Sequence, residues 1–278
     1  MSAANATRIG RRPWGTYVLY LVAIGAFAYL FVPLGRIVQL SFNEQVVNGN
    51  RIKKNTSWNG FTWDNWANAF KSSDYIDALK ESLWVAVWAC VIATAIGALI
   101  ALAITRYKMK GGTFINMMLV IPLTTPEIVM GASLFTLFFN QGVTRGFWTI
   151  VIAHTLFCVS FVALTVKARI RGLDWSLEDA AADLGSGPLR TFSKITLPII
   201  TPGIAAAFLL SVALSIDDYI ITSFVSGGVK TLPVQIFDGE KNILPAQVHV
   251  IASLIMLISI AIIVTSSMLG NRRKARLG

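Results

Sequence analysis

The sequence has 278 residues, of which 55% are hydrophobic and 14% charged, at a mean hydropathy of +0.64. A soluble domain carries roughly a quarter charged residues, so most of this chain is composed for lipid and not for water. The net charge of +10 is not a nucleic-acid signal, because the basic residues lie between long apolar runs, a distribution that reports membrane orientation.

Arg8, Arg11 and Arg12 precede an apolar run over 15–35, which imitates a signal peptide. The run is 21 residues long, against roughly 7–15 for a signal core, and its small-x-small match, Ala26 to Ala28, lies inside the run. It is expected to be an uncleaved first span. The segment 39–81 then places Trp58, Phe61, Trp63, Trp66 and Phe70 among Asn, Thr and Asp, the composition of an interfacial cap over an external mouth.

Further apolar stretches of helical length follow at 83–104, 114–139, 147–166, 199–225 and 250–269. A bilayer core takes about 20 residues as a helix, and none of these runs alternates as a barrel strand does. Six spans in one membrane domain, residues 1–278, put both ends on the same side. In the second span Trp84 and Trp88 stand at helical spacing and suit either stacking on an aliphatic cation or packing. Cys90 and Cys158 fall inside spans without metal-ligand spacing and read as small packing residues. His154 reads as a hydrogen-bonded packing residue, and His249 as an interfacial one.

Charges inside spans are costly and mark a pathway or a pair. Glu127 interrupts the third span after Pro122 and Pro126, and Asp217 and Asp218 interrupt the fifth. At 1.5 Å per residue, Glu127 lies roughly 20 Å and Asp217 roughly 24–27 Å from the basic-loop ends of their spans. Carboxylates at one depth favour a cation. The alternative is structural: Arg36 can pair with one of them, Glu127 can stabilise a broken helix, and adjacent aspartates point about 100° apart on a helix. The expected substrate path is Glu127, Asp217 and Asp218 with Trp88 and Tyr219.

Between the fourth and fifth spans, 176–198 reads as two short helices joined by a turn. Ser176 and Asp179 have capping-box spacing. Ala180, Ala181 and Ala182 are strong helix formers with little bulk. Gly185 suits a left-handed stop, and Gly187 with Pro188 restarts a helix. Orientation follows from the lysines and arginines. The side with both termini, the 106–110 loop and this loop carries 15 basic residues against Asp174, Glu178, Asp179 and Asp183, and is therefore expected to be cytoplasmic.

The loop resembles the signature of ABC-importer permeases, in which E-A-A is followed by a glycine and then by Ile-x-Leu-Pro. Asp179, Ala180, Ala181, Gly185, Ile195, Leu197 and Pro198 stand at the matching offsets, with Asp179 for the usual Glu and Glu178 just before it. The resemblance implies a type I importer (MetI-like) all-α permease whose coupling helices, about 176–195, sit in a cleft of a separate ATPase. ATP and magnesium belong to that partner, since no phosphate-binding loop motif occurs in the chain. Residues 214–220, 223–228, 231–233, 126–134 and 153–162 are similar to the corresponding stretches of spermidine/putrescine permeases, the second of their two permease subunits; the likeness runs from about 82 to 269. It implies alternating access, a second homologous permease, two copies of the ATP-binding subunit, an extracytoplasmic binding protein, a bacterial inner membrane and a polyamine substrate. Amino acid derivatives, opines or iron are the other solutes in view.

Two other classes fit the residues less well. A membrane enzyme needs a nucleophile and base or metal ligands converging on one point, which two histidines in distant spans do not supply. A secondary transporter can use the buried acids but has no use for the coupling loop.

Overall fold

The computed structural model describes residues 13–48, 51–52, 57–71, 73–106, 111–242 and 246–275. Arg8, Arg11, Arg12, Lys108, Lys110 and Arg276, six of the 15 basic residues that set the expected orientation, lie outside them. In chain order the elements are α1 (Pro13–Ser41), a two-residue hairpin of β1 (Val47–Asn48) and β2 (Arg51–Ile52), α2 (Asp64–Ala67), α3 (Ser73–Arg106), α4 (Gly112–Thr124), α5 (Glu127–Asn140) and α6 (Phe147–Ile170). Then come α7 (Ser176–Asp183), α8 (Pro188–Thr191), a π-helical turn (Phe192–Thr196), α9 (Leu197–Asp217), α10 (Ile220–Val225), α11 (Leu232–Asn242) and α12 (Ala246–Ala275).

All six expected apolar runs are helical, but they are not six unbroken spans. Among the described residues, Trp14–Ser41, Asp74–Arg106, Phe147–Ile170 and Pro188–Asp217 are long and apolar enough to cross a membrane. The pair α4–α5 makes a fifth, bent by 105°. The apolar part of α12, Ala246–Ile258, is shorter. The fifth expected run, 199–225, is interrupted between α9 and α10.

The chain forms two compact units, Met1–Ser72 with Asn242–Gly278, and Ser73–Lys241. In the first, α1 packs on α12, and a knot of aromatics and asparagines orders part of the 39–81 segment. Phe42 stacks on Phe61 and Trp66 at 5.5 and 5.2 Å and meets the edge of Trp63. The buried Asn65 amide donates to the carbonyls of Ser41 and Asn43.

In the second unit α6 is the centre, with most of its apolar length buried. Without water to drive apolar surfaces together, spans associate through close van der Waals packing of small residues. The face α3 turns toward α6 is accordingly Ala86, Ala89, Cys90, Ala93, Gly97 and Ala101, all buried where exposure is given. Gly97 is required there: a Cβ would stand 2.8 Å from the Val162 side chain and 2.9 Å from the Val159 carbonyl oxygen. One cluster joins α3, α5, α6 and α10. A second, around Val162, Val166, Ile170 and Ile200, joins α3, α6 and α9.

Candidate functional site

Two helix breaks face one cavity. The first is at Thr125–Pro126. Proline lacks an N–H and disfavours a helical conformation in the residue before it, and Thr125 is extended (φ −75°, ψ 130°). The Ile121 carbonyl takes the last helical bond, from the Thr125 N–H at 2.9 Å, and also accepts the Thr125 hydroxyl at 2.7 Å; the carbonyl that Pro126 deprives of its helical donor is that of Pro122. Glu127 opens α5, at the end of the helix whose dipole favours an anion. The second break is at Asp218, also extended (φ −67°, ψ 116°). No proline causes it; the Asp218 carboxylate holds it by accepting the backbone N–H of Thr222 at 2.8 Å and the Thr222 hydroxyl at 2.8 Å.

The cavity has a volume of about 420 Å³. Glu127 lines it from one break, and Asp217, Asp218 and Tyr219 from the other, with Met130, Phe157, Phe161 and Leu214 as apolar wall. Irregular backbone at this depth is tolerated where it lines such a space. Four of the five residues expected on the substrate path therefore come together. Trp88 does not: it lies against Trp148 at 5.9 Å. The two aspartates face different surroundings, as their angular offset requires. Asp217 is exposed, while the Asp218 side chain is 5% exposed and meets the His154 Nε2 at 3.3 Å. Tyr219 packs on Phe237 at 4.2 Å.

His154, expected as a hydrogen-bonded packing residue, is buried and bonded; which groups it would meet was not foreseen. Its ring, on the buried face of α6, touches Ser215 Oγ through Nδ1 and Thr222 Oγ1 through Nε2, both at 2.8 Å. The spacing of Asp218 and Thr222, four apart at a helix start, is the one local signal of this network; His154 is 61 and 68 residues from its partners.

At the other end of α9 lies the loop. Gly185 adopts φ +79°, and the N–H groups of Gly185 and Ser186 donate to the carbonyls of Ala182 and Ala181, both at 2.9 Å. This is a Schellman stop. Pro188 opens α8 after Gly187. The expected capping box of Ser176 and Asp179 does not form. The helix begins one residue too early for it, and Asp174 instead accepts the Ser176 N–H at 3.0 Å. That bond, with the Ser176 hydroxyl second, holds the Asp174 carboxyl below its ordinary range.

Glu178 and Asp179, expected together at the docking surface, point apart. Asp179 and Ala180 are exposed, and Ala181 is buried. Glu178 is 7% exposed and turned into the chain, where it pairs with Arg106 at the end of α3 and accepts the Thr196 hydroxyl. Arg106 also lies over the Trp175 ring at 5.5 Å. Leu184 and Leu189 project at 89% and 86% exposure. Of the remaining signature residues, Ile195 is half-buried in the π-turn, and Leu197 and Pro198 are exposed at the start of α9. A groove of about 680 Å³ between the loop and α3 is lined by Leu102, Arg106, Asp179, Leu189 and Phe192.

The family described as "binding-protein-dependent transport system inner membrane component" matches residues 93–276. The spermidine/putrescine transport system permease protein PotC of Haemophilus influenzae is 34% identical over 247 residues, covering 88% of this chain and 93% of the relative. The putrescine transport system permease protein PotI of Escherichia coli K12 is 34% identical over 260 residues, covering 91% and 89%. Among solved structures, a chain of a bacterial alginate ABC transporter, in complex with an alginate pentasaccharide-bound periplasmic protein, matches with a TM-score of 0.66 at 15% identity, over 94% of this chain and 96% of that one. That likeness is one of fold. The chain belongs to the family of inner-membrane components of binding-protein-dependent transport systems.

Proposed function

We propose that this chain is one of two homologous permease subunits of an ATP-driven polyamine importer. The observation that carries the substrate class is the cavity where Glu127 and Asp217 are presented beside Tyr219 and an apolar wall. Carboxylates suit ammonium groups, the tyrosine face suits a cation, and Met130, Phe157, Phe161 and Leu214 suit the methylenes between charges. The names of the curated relatives point the same way.

In this reading the loop 176–198 faces the cytoplasm with both termini, and Asp179, Ala180, Leu184 and Leu189 meet an ATPase. Two copies of that subunit bind ATP and magnesium, and an extracytoplasmic binding protein delivers the substrate. ATPase closure moves α8, which runs through the π-turn into α9 as one stretch, Pro188–Asp217. The stroke therefore ends at the cavity, and the cavity alternates between the two sides of the membrane.

The test is binding-protein-dependent uptake by the reconstituted complex, with spermidine, putrescine, amino acids and iron compared. Polyamine uptake that falls at least about tenfold in kcat/KM with Asp217→Asn or Glu127→Gln supports the site. Uptake of another solute alone overturns the substrate. Polyamine uptake indifferent to both substitutions overturns the cavity.

A further inference from the structure

The family and the proposed function leave His154 without a task, yet both of its ring nitrogens are engaged. It is 1% exposed, and each ring nitrogen has a hydroxyl partner at 2.8 Å, one on α9 (Ser215) and one on α10 (Thr222). The histidine therefore bridges the two sides of the α9–α10 break from a third helix, α6.

Proton counting sets the direction of these bonds. The Thr222 hydroxyl has one proton, and its partner Asp218 Oδ2 at 2.8 Å is an acceptor when ionised. His154 Nε2, at 2.8 Å from the same hydroxyl oxygen and 3.3 Å from Oδ2, must then be the donor. A ring with a single proton then has Nδ1 free to accept from Ser215. Each site in this chain has one proton and one taker. Asp218 Oδ2 thus receives the Thr222 N–H and O–H with the imidazole N–H alongside, and has little capacity left for a ligand. Asp217, the next residue, has none of these partners and is exposed to the cavity.

We infer that His154 is a positioning residue of the transport site. Through Ser215, Thr222 and Asp218 it locks the break between α9 and α10, and the lock presents Asp217 to the substrate while Asp218 serves the backbone. This rests on the cavity being the substrate site.

The test uses the whole transporter, reconstituted with its ATPase, second permease and binding protein, and measures putrescine uptake. His154→Leu removes the bridge, and Thr222→Val breaks it from the other side. His154→Gln restores it, since its amide N–H replaces Nε2–H and its oxygen replaces Nδ1. Expected is a KM raised about tenfold by His154→Leu and by Thr222→Val, with Vmax changed less than KM, and a KM within about threefold of the parent for His154→Gln. Because His154 acts through Asp217, adding His154→Leu to Asp217→Asn costs no more than about a further threefold, where independent lesions would multiply. A general loss of packing moves Vmax and assembly and is not relieved by glutamine. Should His154→Leu fail to assemble with its partners, Thr222→Val is read in its place. An unchanged KM in the leucine or valine variant, no rescue by glutamine, or multiplying effects with Asp217→Asn each overturns the positioning role while the cavity stands. If Asp217→Asn itself leaves KM unchanged, the cavity assignment falls and the positioning role falls with it.

Discussion

The pair Arg106–Glu178 ties the first loop helix to the end of α3, and its removal can be sized from its surroundings. Replacing Arg106 by Gln leaves a carboxylate that is 7% exposed with the Thr196 hydroxyl as its described partner. Removing one member of a fully buried pair costs about 3–5 kcal/mol, but the Arg106 side chain is 38% exposed, so water reaches the gap and about 2 kcal/mol is the better figure. Glu178→Gln strands no buried charge, keeps one acceptor oxygen for Arg106, turns its amide N–H toward the Thr196 hydroxyl oxygen, and costs about 1 kcal/mol. The double variant is expected to be no worse than Arg106→Gln alone, a coupling of about 1 kcal/mol. Melting of the detergent-purified complex gives the order of the three variants. The ratio of solute imported to ATP hydrolysed gives the functional consequence, which should fall most for Arg106→Gln, because its α7 is least firmly held to α3. Two results refute this reasoning: Arg106→Gln that melts and couples like the parent, or a double variant as poor as the two single losses added together.

Gly97→Ala forces a Cβ to 2.9 Å from the Val159 carbonyl oxygen, where backbone must yield, and should lower the melting temperature by the equivalent of about 1–3 kcal/mol; an unchanged melt shows that α3 and α6 have slack. Gly185→Ala meets nothing within 4 Å but keeps φ +79°, so it costs about 1 kcal/mol of backbone strain, and Asn costs less. Gly185→Trp starts from the same exposed, left-handed position, and under the proposed coupling it should abolish ATPase copurification while the permease still inserts; normal uptake by that variant defeats the docking assignment. The folded pKa of Asp174 is lowered by its bonds from Ser176, so its contribution to α7 is present above the ordinary carboxylate pKa and is lost as pH falls through the lower, folded value. Hydrogen exchange in α7, corrected for its intrinsic pH dependence, should rise through that acid window, and Asp174→Ala should show the raised exchange already at neutral pH.

What could be read from the chain was punctuation and misplaced charge. Gly185, Gly187 and Pro188 announce the loop because left-handed stops and proline starts are local chemistry. Glu127, Asp217 and Tyr219 stand out because their groups are foreign to a span. The break at Asp218 was not legible, since no proline or glycine makes it; it exists because a carboxylate four residues before Thr222 and a histidine on another helix sustain it. The inward turn of Glu178 was hidden for the same reason, as its partner Arg106 is 72 residues earlier and carries an ordinary orienting charge in the sequence. The start of α7 moved because Asp174 reaches the Ser176 N–H, which spacing rules for Ser176 and Asp179 do not weigh. That Trp88 lies against Trp148 and not on the cavity was equally hidden, because helical spacing gives a face and not the neighbour that face meets.

The π-turn at Phe192–Thr196 has a mechanical meaning. Proline at 198 removes an N–H and crowds the carbonyl four residues back, yet the helix does not stop; it widens for one turn, with the Leu197 N–H reaching back to Phe192, and goes on. The result is a single rod of 30 residues, Pro188–Asp217, about 45 Å long at the usual rise. A helical stretch that runs through without a break carries compression as well as tension. Under the proposed docking, pushing and pulling at Pro188 both reach Asp217 through one linkage, and the places where it would bend are the π-turn and Pro202.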